Sequence, residues 1–163
     1  PRPGWVGHPP SAPVRSTTCR TPSTCTYSPT AATSDSGGHC PFGPRRVNHP
    51  PEAYGFRVTS DSGRTFVYTG GDTGMCDEVV DLARGADVLL AEASWTHDPA
   101  VRPENMHLSG TEAGQVAARA GVGELLLTHI PPWTSREDVI AEAKAQYSGP
   151  VHAVSAGGDV YRI

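Results

Sequence analysis

Two short, almost uninterrupted apolar runs constrain the fold of this chain more than any other feature. Residues 87–93 (DVLLAEA) and 124–128 (ELLLT) have the length and composition of strands that are buried on both faces of a sheet. Each run is followed by a helix with a clear start signal. The capping box SGTE opens a helix over 111–120, and the capping box TSRE at 134–137 opens one that runs to about Tyr147. Alternating strands and helices predict an α/β architecture.

Shorter elements surround these two units. Residues 54–59 and 65–69 alternate as strands do, and the SDSG sequence between them is a strong hairpin turn, so part of the sheet should be antiparallel. The apolar spacing over 77–84 predicts a short helix. Residues 151–154 and 159–163 are expected to close the sheet as short strands.

Residues 1–46 differ in composition from the rest of the chain. They contain no Leu, Ile or Met, a single acid, and three of the four cysteines among many Pro, Ser and Thr residues. Such a segment buries too little apolar surface to offset the entropy of ordering it. We therefore predict that residues 1–46 are unstructured and that the folded unit spans residues 47–163.

The origin of residues 1–46 has two explanations. One is a genuine Pro/Ser/Thr-rich disordered linker. The other is an out-of-frame translation: back-translated with G or C at every third base and read two bases late, residues 16–39 give strand-like apolar residues, acids and a D-G-G turn. The cysteines of this segment lack the C-x-x-C pairing of zinc ribbons, so we predict no metal site from them.

Charge and hydropathy exclude several classes of partner. The formal net charge is −4 at pH 7, and nearly all acids lie after residue 46. An acidic surface disfavours a long nucleic acid but not a small phosphate compound. No stretch is apolar enough to span a membrane, and no signal-peptide h-region begins the chain. We expect a cytoplasmic protein with reduced thiols and no membrane partner.

Three polar residues stand at the ends of apolar runs, where α/β proteins carry catalytic groups. They are His49, Asp72 and His129, and two nitrogens with one carboxylate are zinc-type ligands. A lone histidine at a strand end is more often a satisfied surface or core residue. The chain contains no H-x-H-x-D-H cluster, so at most half of a two-metal site is present.

Five motifs in order identify a resemblance. They are HPPEAYGFR at 49–57, GDTG at 71–74, AEASWTH at 91–97, MHLSGTEA at 106–113 and LTHIPPW at 127–133. In this order they resemble the C-terminal half of a metallo-β-lactamase-fold hydrolase. The resemblance is closest to the branch that contains tRNase Z and the bacterial cyclic-nucleotide phosphodiesterases. It implies half of an αββα sandwich, a mixed sheet with flanking helices, from Val47 to the end.

The resemblance also implies a metal site. His49 would complete the ligands of a first metal, Asp72 would bridge two metals, and His129 would complete the second. The cofactors of the complete family domain are two divalent ions, Zn or Mn, and these 163 residues supply only part of that site.

Four further residues receive roles from the same resemblance. His107 would contact the phosphate and assist the leaving oxygen, and Glu92 would orient His107 or a ligand. Ser109 and Thr111, at a helix N-terminus, would bind the anionic substrate. The simpler alternatives are that His107 is a loop residue and that Glu92 is a buried structural carboxylate. Trp95 and Trp133 either stack on a base or belong to the core and its rim.

The function implied is that of a metal-dependent phosphodiester hydrolase, a 3′,5′-cyclic-nucleotide phosphodiesterase, that lacks the H-x-H-x-D-H half of its site. A tRNase Z-like RNA-processing nuclease is one alternative. In tRNase Z a long basic arm precedes the Gly-Asp-Thr, whereas residues 54–72 hold only a hairpin here. This favours a small nucleotide partner. The other alternative is an inactive truncated fragment, and we expect the isolated chain to be inactive. A homodimer is left open.

Overall fold

The computed structural model describes residues 42–60, 62–103, 105–155 and 157, and in these ranges one mixed sheet carries three helices. The α/β prediction is confirmed. The strands are β1 Phe42–Val47, β2 Ala53–Thr59, β3 Thr65–Tyr68, β4 Val88–Glu92, β5 Glu124–Thr128 and β6 Val151–Ala153. The helices are α1 Asp77–Ala83, α2 Gly110–Ala120 and α3 Arg136–Gln146.

The strands follow one another across the sheet in sequence order, from β1 to β6. The pairs β1–β2 and β2–β3 are antiparallel, whereas β3–β4, β4–β5 and β5–β6 are parallel. Helices α1, α2 and α3 form the connections that parallel neighbours require. Because β1, β3, β4 and β5 run in the same direction, their carboxyl ends lie at one edge of the sheet, and this edge carries the candidate site.

All three helices pack on one face of the sheet. Leu89 and Ala91 of β4 and Leu125 and Leu127 of β5 have no exposed surface and point into this core. Each fully buried leucine contributes roughly 1.5–3 kcal/mol relative to an exposed one. The helices supply the facing residues, namely Val79, Val80, Leu82, Ala83, Ala113, Val116, Ala117, Ala120, Val139 and Ala143.

Helices α2 and α3 approach each other closely because two glycines face α3. A Cβ atom at Gly114 would lie 2.5 Å from the carbonyl oxygen of Ala143 and 2.9 Å from the Cβ of Gln146. A Cβ at Gly110 would overlap the backbone of Val139 in the same way.

In the part of the chain that the structure describes, no helix has the length and apolar content needed to cross a bilayer.

The helix start signals are right for α2 and shifted by one residue for α3. Ser109 caps α2 and forms both hydrogen bonds of the predicted capping box with Glu112. The cap of α3 is Ser135, whose Oγ accepts from the backbone N–H of Asp138 at 3.3 Å, and not Thr134. Thr134 Oγ1 donates instead to the carbonyl oxygen of Ser94 at 3.0 Å, which ties α3 to the loop after β4.

The structure corrects the boundary placed after residue 46. Residues 42–46 belong to β1, which pairs along its whole length with β2. Pro44, Arg45 and Arg46 give no strand signal, and they extend here because β2 offers a partner and because Pro is tolerated in an edge strand. Arg45 also lies 3.7 Å from Asp81 of α1. The predictions for residues 1–41 and for a strand over 159–163 fall outside the described residues.

Candidate active site

Five polar side chains meet at the edge of the sheet where the carboxyl ends of β1, β3, β4 and β5 lie. His49 follows β1, Asp72 follows β3, Glu92 ends β4, and His129 follows β5. His107 reaches the same place from the loop before α2. Four of the five line a cavity of about 600 Å³, with Glu92 buried beneath it; the lining residues are His49, Asp72, Ser94, Trp95, His107, His129, Ile130, Pro131, Pro132 and Trp133.

His107 occupies the centre of the polar side of this cavity. Its ring lies 5.7 Å from that of His49 and 5.6 Å from that of His129, with edge-on geometry in both cases. Asp72 Oδ1 is 3.5 Å from His107 Nδ1 and 3.4 Å from His129 Nδ1. The structure therefore brings His49, Asp72 and His129 together and places His107 between the two histidines.

Glu92 is a fully buried carboxylate that organises this cluster. Its Oε1 accepts from the backbone N–H of Thr73 at 2.5 Å, and its Oε2 accepts from Ser94 Oγ at 2.8 Å. His107 Nδ1 lies 3.2 and 3.1 Å from the two oxygens. Glu92 thus contacts the loop after β3, the loop after β4 and the loop before α2, and its role in orienting His107 stays a prediction.

Burial raises the pKa values of Glu92 and of Tyr68. Desolvation raises the pKa of Glu92 to about 7, although the hydrogen bonds from Thr73 and Ser94 act in the opposite direction. The pKa of Tyr68 is also raised, first by its burial and then by the charges of Asp72 and Glu92. Since buried charge is unfavourable unless it is well paired, the Glu92 carboxyl keeps its proton to higher pH than an exposed one does.

The loop that carries Asp72 is fixed by close backbone contacts. Gly70 has φ +93°, and a Cβ there would lie 2.6 Å from the carbonyl oxygen of Tyr54, so only glycine fits without strain. Two residues after Asp72, the N–H of Gly74 donates to the carbonyl oxygen of Asn48 at 2.7 Å, which joins this loop to the His49 loop.

His129 has an unusual backbone for a residue with a side chain. Its φ of +55° is left-handed, which disfavours any residue but glycine by about 1–2 kcal/mol. Ser94 Oγ lies 3.0 Å from the carbonyl oxygen and 3.2 Å from Nδ1 of His129. Ser94 was not singled out by sequence reasoning. The available signal was a small polar residue two positions after the buried Glu92.

Ser109 and Thr111 do not reach the cavity, although the resemblance implied that they bind substrate. Ser109 is fully buried, and its hydroxyl caps α2 and hydrogen-bonds His97 Nδ1 at 2.8 Å. Thr111 N and Oγ1 lie 3.2 and 3.4 Å from Glu142 Oε2 of α3. Thr111 therefore joins α2 to α3, whereas Ser109 caps α2 and contacts His97.

Five apolar residues also line the cavity, namely Trp95, Ile130, Pro131, Pro132 and Trp133. Trp133 is 75 % exposed, although a large aromatic side chain is normally more buried in a monomer. Trp95 is held by a bridge between its backbone and that of Ser109. One cavity is therefore lined by both ionisable and aromatic side chains.

The donor atoms of the polar side fit divalent cations. Among the described residues, the ligand atoms of His49, Asp72 and His107 lie within 4.8 Å of one another, as do those of Glu92, His107 and His129. Imidazole nitrogens and carboxylate oxygens are the ligands of zinc and manganese. His49 and His129 fall in different groups, and Asp72 lies within reach of both.

Comparison with known proteins agrees with this architecture. A family model described as the β-lactamase superfamily domain matches residues 8–130, a range that begins well before Val47. The protein ML1173 of Mycobacterium leprae is 69 % identical over 114 residues, which are 70 % of this chain and 39 % of that protein. A ribonuclease Z of Synechococcus is 41 % identical over 81 residues, 45 % of this chain and 25 % of the enzyme.

The protein YhfI of Bacillus subtilis is similar in both sequence and structure. It is described as a probable metallo-hydrolase, and it is 35 % identical over 109 residues, 67 % of this chain and 43 % of its own length. Its crystal structure, of a metallo-β-lactamase fold protein, superposes with a TM-score of 0.66 at 31 % identity over 81 % of this chain and 53 % of YhfI. The matched relatives are longer, and this chain covers about two fifths of ML1173 and of YhfI. The chain belongs to the β-lactamase superfamily, and its sheet and helices form part of a metallo-β-lactamase fold.

Proposed function

We propose that this chain supplies part of the active site of a metal-dependent phosphodiester hydrolase whose substrates are 3′,5′-cyclic nucleotides. The observation that carries the proposal is the cavity at the carboxyl edge of the sheet, which both polar and aromatic residues line. Its histidines and Asp72 suit a phosphate held through cations, and its tryptophans suit the face of a nucleobase. A volume of about 600 Å³ is in the range of sites that hold small ligands.

Each polar residue has a role in this proposal. His49, Asp72 and His129 would hold divalent ions, zinc or manganese. When bound, such ions lower the pKa of water to near neutrality and stabilise charge on a phosphoryl oxygen. Because the Glu92 carboxylate engages His107 at Nδ1, Nε2 is the nitrogen left to give a proton to the leaving oxygen. Glu92 keeps that ring oriented.

Two features favour a small substrate over a folded RNA. Only five residues, 60–64, separate β2 from β3 between His49 and Asp72, which is too few for an extended RNA-binding arm. The net charge of −4 also disfavours a polyanion. The identity with ribonuclease Z makes RNA processing the second candidate.

The test is an assay of 5′-AMP release from 3′,5′-cyclic AMP, with and without chelator. It compares the 163-residue chain with a longer protein that carries an N-terminal half with H-x-H-x-D-H. We expect the 163 residues alone to bind zinc or manganese weakly and to hydrolyse the substrate at the background rate. The longer protein should show chelator-sensitive turnover, and Asp72→Ala should abolish it.

Other outcomes distinguish the alternatives. Robust chelator-sensitive turnover by the 163 residues alone would show that the three ligands named here suffice. If the longer protein cleaves precursor tRNA and leaves cyclic AMP intact, the second candidate replaces the first. Absence of hydrolysis of any phosphodiester by a folded, metal-loaded longer protein would overturn the proposal.

A further inference from the structure

We propose that Ser94 is a positioning residue that fixes the tautomer of His129, so that the ring proton resides on Nδ1 and Nε2 keeps its lone pair. The inference rests on the proposed function only in naming a divalent cation as the partner of Nε2. The tautomer itself is a property of this chain without any ligand. Neither Ser94 nor this hydrogen bond enters the roles assigned above.

The first step is the hydrogen-bond capacity of a serine hydroxyl, which has one proton to donate and two lone pairs that accept. Three acceptors compete for the proton of Ser94. Glu92 Oε2 lies 2.8 Å from Oγ, the His129 carbonyl oxygen 3.0 Å, and His129 Nδ1 3.2 Å. In its ionised form, the Glu92 carboxylate is both the nearest and the charged acceptor, and charge-assisted hydrogen bonds are the strong ones. The hydroxyl proton therefore goes to Glu92, and Oγ is left to accept from Nδ1–H.

The second step concerns the other neighbours of His129 Nδ1. Asp72 Oδ1 lies 3.4 Å away and Glu92 Oε2 lies 3.7 Å away. Both are carboxylate oxygens, and both carry lone pairs that would repel an unprotonated nitrogen. Three oxygens thus surround Nδ1, and a proton on Nδ1 is stabilised by all of them. The second neutral tautomer, with the proton on Nε2, would direct a lone pair at this oxygen cluster.

The third step is the rigidity of Ser94. Its residue surface is 3 % exposed, and its carbonyl oxygen accepts from Thr134 Oγ1 at 3.0 Å. Its hydroxyl also lies against the carbonyl oxygen of His129, whose left-handed backbone needs support from its surroundings. Ser94 is consequently held in place from α3 and from β4, and it can hold His129 in turn.

One buried carboxylate then sets both histidines on its side of the cavity. Glu92 accepts directly from His107 Nδ1–H, and it acts on His129 through the hydroxyl of Ser94. In metal sites the hydrogen bond made by one ring nitrogen decides which nitrogen binds the metal. Ser94 extends the reach of Glu92 from the proton-donating histidine to the ligand histidine.

The decisive experiment is nitrogen-15 NMR of the imidazole side chains in the metal-free 163-residue chain, at an alkaline pH where histidine is neutral. The resonances of His129 are assigned by their loss in His129→Ala. In the unmodified chain, His129 Nε2 should have the shift of an unprotonated nitrogen and Nδ1 that of a protonated one. If His129 instead shows a protonated Nε2 or two averaged nitrogens, the inference is wrong, whatever the variants do.

Three variants separate positioning from packing. Ser94→Ala removes the hydroxyl and should move both His129 nitrogens toward the averaged shifts of a free imidazole. Ser94→Thr keeps a hydroxyl and should restore the unmodified pattern. Thr111→Val removes a hydroxyl that contacts Glu142 of α3 outside the cavity, and it should leave the His129 pattern unchanged. A Ser94→Ala spectrum that matches the unmodified chain overturns the assignment.

Metal affinity is the second readout. The longer protein that carries H-x-H-x-D-H is titrated with zinc or manganese. The affinity for the metal should be about 10- to 100-fold lower in Ser94→Ala and should be restored in Ser94→Thr. If the unmodified protein binds neither metal, the proposed metal site fails while the NMR result on the tautomer stands on its own. If metal binds with equal affinity to the Ala variant, Ser94 has no positioning role toward the ligand.

Discussion

The helix-facing core and the carboxyl edge of the same sheet follow opposite rules. In the core, Leu89, Leu125 and Leu127 are fully buried among other apolar side chains, and glycines let α2 approach α3 closely. At the edge, a buried Glu92 lies among histidines, His129 has a left-handed backbone, and Trp133 is 75 % exposed. The core thus consists of favourable contacts, whereas the edge collects unfavourable ones.

The difference is informative because both regions are built from the same strands. The strand β4 carries Leu89 and Ala91 into the core and ends at Glu92, so the change of character occurs within one residue. Unfavourable local features persist only where the surroundings hold them in place, and they concentrate at functional sites. Favourable packing in the core therefore offsets the free-energy cost of the unfavourable features at the edge.

The largest expected effect comes from removing a side chain at the edge while the core stays unchanged. In the longer, H-x-H-x-D-H-containing protein, His107→Ala should lower turnover of cyclic AMP by about 10²- to 10⁴-fold, the usual contribution of one general acid. Metal content should remain unchanged, because His107 is proposed as a proton donor and not as a ligand. His152→Ala, at an exposed histidine on β6 outside the cavity, is the control. Loss of bound metal in His107→Ala would instead make His107 a ligand.

The next effect is the pH dependence of stability that a buried carboxyl imposes. The pKa of Glu92 is raised from 4.5 to about 7, so the folded chain keeps a proton that the unfolded chain releases earlier. The stability that this group contributes is complete below about pH 4.5 and is lost as pH rises through about 7, by at most ~3 kcal/mol. Urea unfolding of the metal-free chain across this window measures it.

Glu92→Gln is the matched control for this pH dependence, since it keeps the shape of the side chain and removes the titration. The free energy of unfolding of the unmodified chain, minus that of Glu92→Gln, should fall between pH 4.5 and pH 7. A difference that stays constant over this interval would mean that Glu92 ionises in the folded chain as it does in water.

A third prediction concerns a substitution that disturbs the packing of the core and leaves the edge unchanged. Gly114→Ala places a Cβ 2.5 Å from the Ala143 carbonyl oxygen, so α2 and α3 must separate. We expect a loss of about 1–3 kcal/mol in the free energy of unfolding, although alanine favours the helical backbone by about 1 kcal/mol. Gly43→Ala, where a Cβ meets nothing within 4 Å, should change stability by less than about 0.5 kcal/mol. Equal effects at both positions would contradict the close approach of the helices.

The same contrast explains which parts of the fold the sequence predicts. The strand Glu124–Thr128 and the helix that starts at the Ser109 cap have the predicted bounds to within one residue, because their signals are local. The strand β1 is missed, because its residues Pro44, Arg45 and Arg46 extend only through pairing with β2, a contact that no local pattern encodes.

The site divides in a similar way. The positions of His49, Asp72 and His129 follow from strand ends, since parallel strands bring their carboxyl ends to one edge. The roles of the Ser94 and Ser109 hydroxyls depend on which polar atom lies within about 3 Å in three dimensions. A hydroxyl forms short-range hydrogen bonds in many directions, so its partner is determined by the packed structure and not by spacing along the chain.

A smaller effect tests the apolar lining of the cavity. Trp133→Ala should raise the KM for cyclic AMP about tenfold in the longer protein, because stacking on a base contributes about 1–3 kcal/mol. Since Trp133 is 75 % exposed, stability should change by less than about 0.5 kcal/mol. Val101→Ala, at the other exposed large apolar residue of the described chain, removes exposed apolar surface away from the cavity and should leave KM unchanged. An unchanged KM in Trp133→Ala would remove the base from this wall.

The smallest expected effect is the loss of stability caused by the left-handed backbone of His129. His129 has φ +55°, a conformation that glycine adopts without strain and that alanine disfavours by about 1 kcal/mol. Both His129→Gly and His129→Ala remove the ring and its contact with Ser94, so their difference isolates the backbone. The metal-free Gly variant should be more stable than the Ala variant by about 1 kcal/mol in urea unfolding. At Ile130, which has no positive φ, glycine should instead be the less stable of the two. If alanine is preferred at both positions, the left-handed backbone of His129 is not a strained feature, and the contrast between core and edge rests on Glu92 and Trp133 alone.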